Sequence, residues 1–461
     1  MPPNRDEPAA IEQGATTRVL LSRLVAIALP MIISQASETA MLFVDRLFLA
    51  RVSKVHLAAA MAGGLTNFTV VSVFAGIAGY VNAIVAQYYG ANQRTQCARS
   101  TFQALLFSVS TVPIVLLIAR VIPGFFGIMG HDPAQVPLET TYAQWLISGS
   151  VILLMRNALT GFFLGIGRTR IVMIANIAAA FVNIPLNYVL IFGAFGLPAL
   201  GMTGAAIGTL GGGLTALLIL AIGYLSRRVD EAYQTRSARS FDRALFGRLI
   251  RFGGPAGIEI FLNVLAFNLF VQLMHGYGSD VAAAITIAFN WDIVSFIPML
   301  GLGVATTAVV GQYMGANDID GARRTTLLSL RIGWAYTGAM MVLFLVATGP
   351  LVRVFSGGFD DAASVEPLAR VMLRLAGLYV MADSTQLVFA GALRGAGDTA
   401  WVMRMSAILH WVFAAIVIVL IRVVVASPIV VWVVFIVFVI TLGAAMVLRF
   451  RTGAWQQMRV I

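Results

Sequence analysis

Runs of about twenty apolar residues, separated by short polar turns, recur along almost the whole chain. The hydrocarbon core of a bilayer is about 30 Å thick, and a helix needs about 20 residues to cross it. Inside that core each backbone amide must be satisfied within its own segment, which leaves helices as the natural reading of such runs. Spans are read near 19–51, 57–88, 97–122, 138–167, 170–193 and 201–226. A polar, arginine-rich stretch at 226–243 follows, and then six more spans near 245–276, 280–313, 321–347, 364–392, 401–424 and 428–449. The expectation is an all-α integral membrane protein with twelve transmembrane helices. Several spans exceed a bare crossing and must tilt, bend or protrude. The first 17 residues contain no apolar core, so no cleavable signal peptide is read.

Composition narrows the function classes. Only 11% of residues are charged and the mean hydropathy is +0.89, against about 25% charged in soluble proteins. The single cysteine, Cys97, excludes a disulfide framework, a structural zinc site and a CxxC redox pair. His56, His131, His275 and His410 are scattered and form no local metal cluster. The net charge of +11 is almost wholly arginine in short loops, which is a topology signal and not a nucleic-acid footprint. Arg94, Arg99, Arg168, Arg170, the 226–243 cluster, Arg323, Arg324, Arg404, Arg449, Arg451 and Arg459 gather on one side. The opposite loops are read to hold Arg46, Arg51, Lys54 and Arg353 with the acids Asp132, Glu139, Asp360, Asp361 and Glu366. This bias places both termini in the cytoplasm, in agreement with an even number of spans.

The chain also repeats itself. QYYGAN at 87–92 returns as QYMGAN at 312–317, an offset of 225 residues. At the same offset Pro30 meets Pro255, Gly76 meets Gly301 and Arg99 meets Arg324. With an offset of 230, GFFLGIGRTRIVM (161–173) falls on GALRGAGDTAWVM (391–403). Two blocks in the same order imply a duplication. Six spans per copy make it a parallel repeat, related by an axis along the membrane normal. The expected organisation is a tail at 1–17, an N-lobe at 18–225, a basic cytoplasmic linker at 226–243, a C-lobe at 244–449 and a tail at 450–461.

Five acids lie inside predicted spans: Glu38, Asp45, Glu259, Asp292 and Asp383. Each costs about 2.5–3.5 kcal/mol at a lipid-facing helix centre, so they must face the interior, be neutral or be paired. Arg156, alone in the fourth span, is the obvious charge partner. Glu38 and Asp45 stand two helical turns apart on one face of the first span. Glu259 and Asn263 are one turn apart on the seventh, where the repeat sets them against Ser34 and Glu38. Asn183 and Asn187 flank Pro185 in NIPLN, which offers amide oxygens and a loosened carbonyl for a cation or a proton relay. Packing between helices is the competing reading of this asparagine pair.

The chain resembles the multidrug and toxic compound extrusion (MATE) transporters from about residue 20 to 445. The resemblance rests on LPMIISQ…FVDRLFLARV in the first span, NIPLNYVLIFG in the fifth, GMTGAAIGT opening the sixth, GQYMGAN closing the eighth and DSTQLVFAGALRGAGDT through the tenth. It implies two six-helix lobes in a V and export of organic cations in exchange for protons or sodium. It also implies that Asp45, Asn183 and Asn187 form the N-lobe ion site, with Thr209 a weaker match and Glu38 an added acid. Asp383 matches the tenth-helix acid. The seventh-helix glutamate of one subgroup falls on Asn263, so Glu259 is read as its substitute. The usual VDT reads VDR here, which sets Arg46 beside Asp45.

The expectation is therefore a plasma-membrane antiporter. The N-lobe set (Asp45, Asn183, Asn187, Thr209, Glu38) binds the coupling ion, with Na+ placed at Asp45, Asn183 and Asn187. The C-lobe set (Asp383, Glu259, Asn263, Asp292) binds a cationic amphipathic molecule or a proton. No enzyme activity, no cofactor beyond H+ or Na+ and no nucleic acid are expected, and a monomer in contact with membrane lipid is. No nucleotide-binding motif is present, which leaves ion gradients as the energy source. The alternative within the same superfamily is a flippase for a lipid-linked oligosaccharide, for which Arg156 and Arg374 are the available cations.

Overall fold

The computed structural model describes residue 14 and residues 16–128, 133–356 and 362–461. Among them every regular element is a helix and there is no strand. Ten helices are long and apolar enough to cross a membrane, and the pair Val136–Ser148 and Ser150–Gly165, bent by 42°, supplies another crossing. The remaining crossing, Ala362–Ala396, is 35 residues long and less apolar, with Asp383, Ser384, Thr385 and Gln386 in succession at its middle. With it the chain has the twelve transmembrane helices that the sequence predicts. They are referred to below by their order: first (Thr17–Val52), second (Val55–Gly90), third (Arg94–Gly127), fourth (Val136–Gly165), fifth (Thr169–Phe192), sixth (Gly201–Tyr224), seventh (Arg243–His275), eighth (Ser279–Gly315), ninth (Ile319–Val346), tenth (Ala362–Ala396), eleventh (Thr399–Val424) and twelfth (Pro428–Arg451).

Local chemistry sets the ends of these helices. Asp242 precedes the seventh span and accepts hydrogen bonds from the Ala244 and Leu245 amides at 2.9 and 3.1 Å. Asp318 does the same for the ninth through Gly321, at 2.7 Å. Both satisfy amides that a helix start leaves without intrahelical partners. Pro30 and Pro255, one in each copy of the repeat, lie inside the first and seventh spans.

The first span packs on the fifth and the fifth on the sixth, while the tenth packs on the eighth, ninth and twelfth. Contact between the two halves runs through two repeat-equivalent pairs, the first span against the eighth and the seventh against the second, and through the end of the second span against the eighth. Repeat-related glycines make both approaches close. A methyl group on Gly76 would stand 2.4 Å from Gly257 Cα, and one on Gly301 would stand 3.1 Å from the Ile32 backbone nitrogen. Ile32 and Gly257 are themselves one repeat apart, so the fold uses the same crossing twice. Small residues at such points let helix backbones approach, which is how membrane helices gain packing energy.

Four details differ from the sequence reading. Glu139, Arg353 and Glu366 lie in helices and not in loops. Arg46 and Arg51 complete the last turns of the first span. The linker contains a helix, Arg227–Tyr233, with Val229 and Tyr233 buried. The C-terminal segment is docked, with Trp455 and Val460 buried against the bundle. His131, Asp132, Asp360, Asp361 and most of the N-terminal tail fall outside the described residues.

Candidate ion and substrate sites

The first span turns one face toward the fifth. Seven residues separate Glu38 from Asp45, so both reach that neighbour, but they meet different partners. Asp45, only 3% exposed, accepts a hydrogen bond from the Asn187 side-chain amide. The Thr209 hydroxyl on the sixth span lies 3.3 Å from its other oxygen. Asn183 is near Asp45, and Tyr142 of the fourth span lies beside Asp45 and Thr209. Glycines of the sixth span create this space. A methyl group on Gly208 would stand 1.8 Å from the Asn187 carbonyl oxygen. GMTGAAIGT thus reads as the surface that lets NIPLN approach the sixth span.

The asparagine pair is not spent on packing bonds. Asn183 and Asn187 are fully buried, yet the Asn187 carbonyl oxygen and both polar atoms of Asn183 have no hydrogen-bond partner. A buried polar atom left unpaired costs about 1–3 kcal/mol. A carboxylate, two free amide oxygens and a hydroxyl form an oxygen-only donor set, the kind hard cations take. Arg46 is exposed, since adjacent residues on a helix diverge by about 100°.

Glu38 is not part of this cradle. It lies 3.0 Å from Arg156 of the fourth span and accepts from Asn176 of the fifth at 3.0 Å, and Asn176 also donates to Ser34. The expected grouping of Glu38 with Asp45 is therefore corrected to two sites on one helix face, one open and one ion-paired.

The C-terminal half holds an acidic pair. Asp292 of the eighth span and Asp383 of the tenth act on one another electrostatically, and Tyr379 lies within reach of both. Ser295 lies 3.3 Å from the Asp292 carboxylate. Glu259 is elsewhere. It is 1% exposed and bound to Arg394 at 2.5 and 3.3 Å, three helical turns along the tenth span from Asp383. Its expected place in one pocket with Asp383 is corrected for that reason. Asn263 accepts a hydrogen bond from Ser406 of the eleventh span at 3.0 Å and joins neither acid. Of the aromatic residues near these acids, Trp291 bonds to the Leu351 carbonyl at 3.0 Å and Phe267 packs on Phe289, so both serve packing.

The geometry adds Asn176, Arg394, Tyr142 and Tyr379 to the residues singled out from sequence. Asn176 was detectable, because it stands seven and eleven residues before Asn183 and Asn187 and so shares their helix face. Arg394 was visible in the AGALRGAGDT motif as a cation inside a span.

The MatE family model matches residues 30–189 and again residues 255–421, two stretches whose starts are one repeat offset apart. The chain belongs to the MATE family. Its curated MATE relatives include the probable multidrug resistance protein NorM of Bradyrhizobium diazoefficiens, 30% identical over 393 residues and covering 84% of each chain. NorM of Neisseria meningitidis serogroup A is 29% identical over 394 residues, again covering 84% of each. The multidrug resistance protein PmpM of Pseudomonas aeruginosa is 28% identical over 408 residues, covering 87% of this chain and 84% of its own. Solved structures agree on the fold. A MOP superfamily transporter from Pyrococcus furiosus superposes with a TM-score of 0.86 at 19% identity, over 95% of this chain and 97% of its own. The outward-facing conformation of a multidrug resistance MATE family transporter does so with the same score, identity and coverage. The MATE chain is a membrane transporter and not an enzyme. Its fold has two six-helix lobes, and the open Asp45 cradle and the Asp292–Asp383 pair lie in different lobes.

Proposed function

We propose that this MATE protein is a secondary antiporter that exports cationic amphipathic small molecules across the plasma membrane in exchange for H+ or Na+. It acts as a monomer with both termini in the cytoplasm, without a cofactor. The names of its relatives, which are multidrug resistance proteins, support the substrate class. The observation that carries the antiport reading is the Asp45 cradle, whose buried amide oxygens are unpaired beside a carboxylate.

In this mechanism Asp45, Asn183, Asn187 and Thr209 bind the coupling ion in the N-lobe. Asp383 with Asp292 attracts the cationic substrate in the C-lobe. Protonation of Asp383 removes charge that holds the substrate, so proton and drug compete at one carboxylate. One charge crossing 100 mV supplies about 2.3 kcal/mol, enough for roughly a fiftyfold gradient. The flippase reading is weaker, because Arg156, one of its two candidate cations, is engaged by Glu38.

The test is reconstitution in liposomes, with an organic cation such as ethidium followed under an imposed pH gradient and then a sodium gradient. Movement driven by one of them is expected. No movement under either overturns the antiport reading.

A further inference from the structure

The duplicated phrases QYYGAN and QYMGAN meet across the lobe boundary. A methyl group on Gly90 would stand 1.9 Å from the Gln312 backbone oxygen, and one on Gly315 would stand 1.9 Å from the Gln87 backbone oxygen. Each second-position helix thus lays its final turn on its repeat mate. The glutamines then reach further. Gln87 donates its side-chain amide to the Gly395 carbonyl at 2.9 Å, and Gln312 donates to the Gly165 carbonyl at 2.8 Å. Gly165 and Gly395 are themselves repeat mates, and both glutamines are buried. Each half therefore holds the end of the other half's helix, related by the pseudo-twofold axis.

The symmetry fails at one atom. The Gln87 side-chain oxygen, Oε1, accepts from the Val460 backbone amide at 3.2 Å, whereas Oε1 of Gln312 is buried without a partner. The C-terminal segment reaches this point through buried Trp455 and Val460, the latter packed near Gly397.

We propose that Gln87 and Gln312 form a reciprocal latch that holds the two lobes together at this end of the molecule, and that Val460 strengthens only the Gln87 arm. Any alternating-access cycle must break both arms to open that end. The latch is therefore a brake, weighted asymmetrically by the C-terminal segment. This rests on the transporter reading only for its role in the cycle.

The test uses spin labels at Arg99→Cys and Asp320→Cys, both exposed positions on opposite lobes near this end. The buried native cysteine is removed as Cys97→Ser, and the full chain is measured in lipid nanodiscs by pulsed electron resonance. Gln87→Ala and Gln312→Ala are each expected to move population toward longer label separations. The closed-to-open ratio should fall roughly fivefold per lost hydrogen bond. Gly90→Ala should give the same shift by steric pressure alone. Val460→Pro, which removes the amide donor, should shift the wild-type background and leave the Gln87→Ala background unchanged. Unchanged distances in Gln87→Ala, Gln312→Ala and Gly90→Ala overturn the latch. An equal Val460→Pro effect in both backgrounds overturns the part assigned to the C-terminal segment. The distances need no substrate or gradient, so failure here leaves antiport standing, and absence of transport in liposomes leaves the latch standing.

Discussion

Asn187 gives its amide hydrogen to Asp45 while its own carbonyl oxygen, fully buried, has no partner. One side chain thus fixes the carboxylate and presents an unused acceptor beside it. Asn183, one turn earlier, adds a second free oxygen. A membrane helix interior tolerates such atoms poorly unless something else completes them.

Replacing Asn183 by Leu removes two buried polar atoms and leaves the Asn187–Asp45 hydrogen bond in place. Stability without ion should be unchanged or slightly raised. The rise in Tm that a bound coupling ion produces should shrink or vanish. Thermal melts with and without Na+, at two pH values, read both effects. A Tm loss of several degrees without ion, together with a preserved ion-induced rise, contradicts the cradle.

Gly208→Ala tests the same site without altering a charge. The added methyl meets the Asn187 carbonyl oxygen and must push that side chain off Asp45. Coupling-ion affinity should drop about tenfold or more, as when groups that orient ligands are lost. A titration monitored by Tm or tryptophan fluorescence checks it. Wild-type affinity argues that Asn187 does not organise the site.

The Glu38–Arg156 pair predicts a double-mutant cycle. Arg156→Met alone leaves Glu38 without its cation and should destabilise by about 1–3 kcal/mol, below the fully buried limit because Glu38 keeps partial exposure. Adding Glu38→Gln should recover most of the loss. Additive losses would show that the two residues act independently.

Glu259 and Arg394 make a stricter case, since Glu259 is almost wholly buried. Glu259→Gln should cost about 3–5 kcal/mol and lower the folded yield, and Arg394→Met should partly rescue it. If Glu259→Gln instead folds normally and shifts only the KM for substrate, its place belongs with Asp383 after all.

Much of this was legible in the sequence, for physical reasons. Span length and polarity are dictated by the bilayer, so the twelve crossings and the duplication could be read directly. Asp45 and NIPLN could be read because a polar group inside a span has few places to go. The partner of each charge could not. Glu38 and Glu259 look equivalent to Asp45 and Asp383 in sequence, yet each found an arginine from another helix, 118 and 135 residues away. Such pairings depend on helix rotation and offset, which local spacing does not encode. QYYGAN carried a related lesson. Its repetition revealed the architecture, but only the fold shows the two copies gripping one another.

The most direct measurement of the central claim is gradient-driven ethidium exchange in liposomes for the wild type, Asp45→Asn and Asp383→Asn, side by side. The account predicts uphill movement in the wild type under a proton or sodium gradient and loss of that coupling in both variants, each still folded and monodisperse. Wild-type exchange retained in both variants contradicts it.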